Sequence, residues 1–322
     1  MTLDWPIRFE RQVLAKPWGG GEQLRDFGVR VPTEPPTGEV WLVSDVPGRS
    51  SRITEGAGAG GTLQELLAQN RDAVLGPSEG PFPLLIKLLE IRGRLSLQVH
   101  PDAAAAQRNG DGPSGKFEAW SVLAATPGAW VTLGFDCDLS REEAKRLIET
   151  NSLRPRLNTF APAPGESFAI PTGVVHAAGG GLLVLEVQET CDVTYRLYDW
   201  GAVGLDGKPR ELHVEKGLAA ATLTKRQRPA PLATRREPGV EVRAVVSQDM
   251  GPFVYEIARL APGVAWKPGP PPWIAVGIDG EVEVGGSKLT PGDAILVPAC
   301  AENARVSALR QSTCAVASPR LA

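Results

Sequence analysis

Only three histidines, His100, His176 and His213, occur in the 322 residues, so any imidazole chemistry must come from them. His100 closes the run LSLQVH (95–100), which reads as a strand. Side chains alternate along a strand, so Leu95, Leu97 and Val99 share one face, and Ser96, Gln98 and His100 the other. A rigid strand then carries an amide oxygen and an imidazole two residues apart, a sound support for two metal ligands. An ordinary half-buried strand with a polar outer face has the same pattern. In GKFEAW (115–120) the alternation puts Lys116 and Glu118 on one face, an arrangement equally common on a solvated edge. His176 lies in IPTGVVHA (170–177), after a strand and a turn. Two histidines, a carboxylate and an amide suit zinc or another borderline divalent ion, provided all four converge, which spacing alone does not establish.

Two further segments carry charge on strand-like patterns. In VLEVQ (184–188), Glu186 and Gln188 face away from Leu185 and Val187. In CDVTYRLYDW (191–200), Asp192, Thr194, Arg196 and Tyr198 oppose Val193, Tyr195 and Leu197. An arginine pointing into a barrel needs an anion, either a buried carboxylate or a ligand.

The elements that position these residues are mostly short strands. Runs at 39–44, 82–89, 95–100, 119–124, 167–170, 182–188 and 193–197 are followed by others at 242–246, 253–258, 273–278, 282–284 and 294–297. Their β-branched content and Pro/Gly-rich punctuation describe a turn-rich β protein. Two helices are expected: 62–75, with Thr62 and Glu65 as a capping box, and 140–149, opened by Ser140 and two glutamates. The basic, aperiodic stretch 225–237 reads as a linker. PGESFAIP (164–171) and PGDAILVP (291–298) echo each other, which suggests two related β-barrel units. Five residues past the closing proline the first copy has His176 and the second Asn303, so only the first offers a metal ligand there. The second unit is expected to cover an edge of the first.

Composition narrows the function classes. A net charge of −3 leaves no basic footprint for nucleic acid or an anionic membrane. No apolar run approaches the ~18 residues of a spanning helix, and the charged N-terminus lacks a secretory h-region. The scattered cysteines Cys137, Cys191, Cys300 and Cys314 read as reduced thiols, which points to the cytoplasm.

Taken in order, KPWGG (16–20), GEVW (38–41), FPLLIK (82–87), LSLQVHPD (95–102), GKFEAW (115–120), IPTGVVHA (170–177), LEVQETCDVTYRLYDW (185–200) and GKPRELHVEKGL (207–218) resemble the type I phosphomannose isomerases in their short bacterial form. The resemblance runs over roughly the first 220 residues and thins to a generic barrel beyond them. It implies a mainly β fold of two cupin-like (jelly-roll) β-barrels with a few short helices. Residues 1–237 would form a metal-binding catalytic cupin domain with helical insertions, and 238–322 a C-terminal cupin-like barrel without metal ligands. It also implies one Zn²⁺ held by Gln98, His100, Glu118 and His176, with Arg196, Glu186 and Lys116 as catalytic residues and Ser96 and Lys87 near a substrate phosphate. The implied reaction interconverts mannose 6-phosphate and fructose 6-phosphate through an enediolate, in a monomer or homodimer. The proton carrier stays open between Glu186, Lys116 and a water on the metal. Phe117, Ala119 and Ser121 depart from the family pattern, and their parity predicts altered packing behind the site. They also leave room for an isomerase of another aldose phosphate. A non-catalytic cupin sugar-binding or sensor protein is a third reading, against which the retention of both Arg196 and Glu186 speaks.

Overall fold

The strand Leu84–Ile91 (LLIKLLEI) is buried along its whole length, lysine included. A strand covered on both faces reads as one apolar run with no alternation. In the computed structural model, which describes residue 3 and residues 5–320, each face has its own core. Leu84–Ile91 belongs to a six-stranded antiparallel sheet ordered Ser167–Ile170, Glu118–Ala125, Leu182–Glu189, Leu84–Ile91, Thr37–Val43 and Gln12–Gly20. A five-stranded sheet opposes it, ordered Leu157–Phe160, Trp130–Phe135, His176–Gly179, Leu97–Val99 and Tyr195–Tyr198. The two sheets close a jelly-roll barrel of the cupin type.

Alternation divides the barrel interior lengthwise. At one end Leu89, Ile91, Trp120, Val122 and Val184 meet Val131, Leu133 and Ala178 in an apolar plug. Toward the other end the same strand faces carry Lys87, Glu118, Glu186 and Gln188, all buried. The outer face of the six-stranded sheet, with Val40, Leu42, Ile86, Leu88, Leu183 and Leu185, packs on Phe253, Tyr255, Ile274, Val276 and Leu296 of the second unit. The second unit therefore covers a face of the first, where the sequence suggested an edge. The apolar parity of both faces explains the difference, because a sheet face this greasy needs a partner layer.

That second unit is built on an eight-stranded sheet, Thr234–Glu237, Val240–Val246, Phe253–Leu260, Ser312–Pro319, Trp273–Asp279, Ala294–Val297, Ile7–Phe9 and Ile53–Glu55. A four-stranded sheet, Ala265–Trp266, Val306–Ala308, Val282–Val284 and Ser287–Leu289, closes over its own core. The hairpin formed by Thr234–Glu237 and Val240–Val246 straddles residue 237, so the second sheet starts within the stretch read as a linker. Ile7–Phe9 crosses into this sheet from the N-terminal side. Both echo segments form strands, Ser167–Ile170 and Ala294–Val297.

Leu63–Leu75 and Arg141–Glu149 are helices, each opened by a complete capping box, Thr62 with Glu65 and Ser140 with Glu143. No periodic signal marks the shorter helices Glu22–Asp26, Ala103–Arg108 and Val214–Ala220. The departures at 117, 119 and 121 point into the shared core. Phe117 meets Phe253 edge to face at 5.5 Å, and Ser121 Oγ accepts from Tyr255 Oη at 2.7 Å. Phe253 is fully buried there. Phe253→Ala should therefore cost about 3–5 kcal/mol in denaturant unfolding. A loss below about 1 kcal/mol would contradict a core shared between the units.

Candidate metal centre

His100 and His176 come from neighbouring strand regions of the five-stranded sheet, where His176 pairs directly with Gln98. Glu118 opens its strand in the facing sheet, so the two sheets bring the three residues together across the barrel. His100 Nε2 stands 3.3 Å from Glu118 Oε2, and His176 Nε2 stands 3.1 Å from Glu118 Oε1. The three ligand atoms lie within 4.8 Å of one another, and all three residues are buried.

The protonation pattern follows from the outer contacts. His100 Nδ1 is 2.9 Å from the Val193 carbonyl, and His176 Nδ1 is 2.9 Å from the Val174 carbonyl. A carbonyl only accepts, so each ring proton sits on Nδ1 and each Nε2 turns a lone pair toward the carboxylate. Neither buried Glu118 oxygen is met by an aligned hydrogen-bond donor, although the Lys116 ammonium stands 3.2 Å from Oε2. Two imidazole lone pairs and a carboxylate aimed at one point, with no proton between them, fit a divalent cation.

Gln98 joins the cluster with its amide nitrogen 3.0 Å from His176 Nε2, while its oxygen faces Ser96 Oγ at 3.4 Å. A half-turn of the amide brings the oxygen to the centre. Ser96 therefore sits behind Gln98.

The electrostatics are set by burial and by Lys116, whose Nζ is 3.2 Å from both His100 Nε2 and Glu118 Oε2. Burial and that ammonium lower His100 to about 3, so its ring stays neutral. Burial alone would raise Glu118, yet the Lys116 ammonium beside it holds it well below the usual carboxylate range. Burial would likewise lower Lys116, but Glu118 and Glu186 keep it above the ordinary lysine value.

Glu186 lies beside this cluster in register with both Lys87 and Trp120. Its Oε1 accepts from Trp120 Nε1 at 2.7 Å, and its Oε2 pairs with Lys87 Nζ at 3.4 Å. Burial first, then the charge of Glu118, raises its carboxyl above the usual range. Lys87 also reaches Asp192 at 3.4 Å and stacks over the Trp41 ring at 4.9 Å. Despite burial, Glu39, Glu186 and Asp192 raise its pKa.

Arg196 is directly opposite Gln98 in the adjacent strand, hence on the same face. It is half-buried, its Nη1 donates to the Glu211 carbonyl at 2.7 Å, and its Nε is buried without a partner. Burial and the nearby Arg210 depress its pKa, against the opposing charges of Asp199 and Glu211.

Sequence reasoning missed the outer part of this network. Glu39 accepts from Trp41 Nε1 at 2.7 Å and pairs with Lys16 at 3.1 Å, which extends an alternating row of charges from Lys16 through Glu39 and Lys87 to Glu186. The available signal was Lys87 itself, since a lysine inside an apolar strand demands buried acids opposite it.

A family model for the catalytic domain of phosphomannose isomerase type I matches residues 7–117. A mannose-6-phosphate isomerase of Streptococcus mutans is 32% identical over 298 residues, 91% of this chain and 92% of that protein. A mannose-6-phosphate isomerase of Bacillus subtilis is 36% identical over 219 residues, 68% of each chain. The crystal structure of a Bacillus subtilis mannose 6-phosphate isomerase superposes with a TM-score of 0.88 at 30% identity, across 97% of this chain and 99% of that one.

Glu118→Gln replaces the one anion in the cluster with a neutral amide. Metal analysis of the purified variant should show divalent-cation occupancy falling from about one per chain to a small fraction, as a weakened ligand set predicts. Unchanged occupancy would show that the cation is held elsewhere.

Proposed function

The chain belongs to the type I phosphomannose isomerases and interconverts mannose 6-phosphate and fructose 6-phosphate; on that premise we propose which of its residues carry the reaction. The observation that carries the proposal is the buried cluster of His100, Glu118 and His176 with Glu186, Lys116 and Arg196 around it. Gln98, His100, Glu118 and His176 would hold the ion, and two imidazoles, a carboxylate and an amide favour zinc. When bound, the ion supplies fixed positive charge beside the sugar oxygen that turns negative.

The reaction moves one proton from C2 of the open-chain aldose to C1 and the hydroxyl proton of O2 to O1, with negative charge building on the enediolate oxygen in between. Glu186 takes and returns that proton. Its raised carboxyl supports the assignment, because a base works best when its pKa lies toward the working pH. Lys116, kept protonated by Glu118 and Glu186, donates to a sugar oxygen and remains a cation throughout. Arg196, with a buried and unpartnered Nε, stabilises the developing charge from the sheet edge. Lys87 and Ser96 form the floor toward the phosphate end. Lys87 also fixes Glu186 through their ion pair, and Ser96 backs Gln98.

The division of labour follows the two units. The first barrel, which the sequence bounded at residues 1–237 but which lends Ile7–Phe9, Ile53–Glu55 and Thr234–Glu237 to the sheet of the second unit, carries the chemistry. The second, residues 238–322, braces the sheet that bears Glu118 and Glu186. Four free thiols support a cytoplasmic setting, in a monomer or homodimer.

Two measurements test these roles. Arg196→Ala should retain the metal and lose about 10²–10³ in kcat, or ~3–4 kcal/mol of transition-state stabilisation; metal-replete variant turning over at the native rate would remove Arg196 from the mechanism. Because Glu186 must be ionised to accept a proton, and its pKa is raised, kcat/KM should fall as pH drops through a limb above the ordinary glutamate value of ~4.3. A limb at or below that value would assign the base elsewhere.

A further inference from the structure

His213 lies outside the cluster, yet it holds Arg196 more closely than any other side chain does. Tyr195–Tyr198 is the edge strand of its sheet, with Arg196 paired to Gln98 on one side only. On the open side the backbone N–H of Arg196 donates to His213 Nδ1 at 3.2 Å, and the backbone N–H of His213 donates to the Arg196 carbonyl at 2.7 Å. Both polar backbone groups of one residue are thus satisfied by one histidine. The same short segment supplies the Glu211 carbonyl to Arg196 Nη1. It also supplies Arg210, which forks onto the Asp199 carboxylate, Nε to Oδ2 at 2.7 Å.

The segment itself is anchored. The helix Val214–Ala220 follows at once, and the Gly217 N–H donates to the His213 carbonyl at 2.7 Å. At Gly217 a Cβ would stand 2.5 Å from Leu197 Cδ2, so the glycine lets the helix sit directly on the strand without displacing that side chain. Lys216 of that helix pairs with Asp111, which accepts from Tyr195 Oη at 2.6 Å.

These contacts decide which edge of the guanidinium is free. Nη1 is turned to the Glu211 carbonyl, and Nε is left buried and without a partner on a residue whose strand position pairs with Gln98. We infer that His213 is a positioning residue: by clamping the Arg196 backbone through Nδ1 and its own N–H, it sets where the guanidinium meets the substrate's developing charge. The inference rests on the role assigned to Arg196. His213 touches no reacting atom, so its effect must travel through that arginine, and a displacement of about 1 Å can cost ~10² in rate.

The test compares three substitutions in the metal-replete enzyme. His213→Ala removes the acceptor and should lower kcat about 10–100-fold with KM changed less than about twofold and the metal retained. His213→Asn places an oxygen where Nδ1 sits and should restore most of that loss, whereas His213→Gln, whose acceptor sits at the Nε2 position, should not. In the Arg196→Ala background the same His213 changes should add nothing. If His213→Ala fails to fold, the Asn and Gln pair decides alone, and equal activities in the two would overturn the inference. Native turnover in His213→Ala, or a full additional loss without Arg196, would overturn it as well. If Arg196→Ala is itself fully active, the underlying role fails instead.

Discussion

Two imidazole lone pairs and a carboxylate aimed at one buried point repel one another unless a cation lies between them, and the rest of the fold is arranged around that constraint. His100 and His176 are locked in the required tautomer by backbone carbonyls of Val193 and Val174. Glu118 reaches them from the opposite sheet, with the Lys116 ammonium 3.2 Å from its Oε2 and no aligned hydrogen-bond donor on either oxygen. Each ligand sits at or just beyond a strand end, where the regular ladder fixes the backbone and the side chain is free to point inward.

Burying so much charge is costly unless every group has a partner. The barrel meets this with an alternating row, Lys16, Glu39, Lys87 and Glu186, so that the isomerase keeps its ionised groups dry and fixed before substrate arrives. A dry pocket strengthens each of these interactions. The price is rigidity, supplied by the second unit. Its Phe253 and Tyr255 press on Phe117 and Ser121, the immediate neighbours of the residues that line the pocket. What looked in the sequence like a departure from the family pattern is a change in how the two units grip each other.

Much of this was legible in the residues alone. Period-two alternation placed Gln98 with His100 and Lys116 with Glu118, and it separated Glu186 from its apolar neighbours; Glu186 lies within its strand, whereas His100 and Lys116 fall just outside Leu97–Val99 and Glu118–Ala125. The capping boxes at Thr62 and Ser140 were readable because a cap is a local interaction. Contacts between distant strands were not. The register that sets Trp120, Glu186, Lys87 and Trp41 in one row depends on sheet order, which no single segment encodes. Likewise, the Arg210 and His213 contacts need a loop to fold back along an edge strand, and His213 carried no signal of its own beyond being one of three histidines.

The most direct test is X-ray absorption at the metal edge of the purified, active enzyme. One divalent ion per chain is expected, with two imidazole nitrogens at about 2.0–2.1 Å and the remaining donors oxygen. Its spectrum should lose one imidazole contribution in His176→Gln. Sulfur donors, a fully hydrated ion or a spectrum unchanged by that substitution would contradict a centre built from His100, Glu118 and His176.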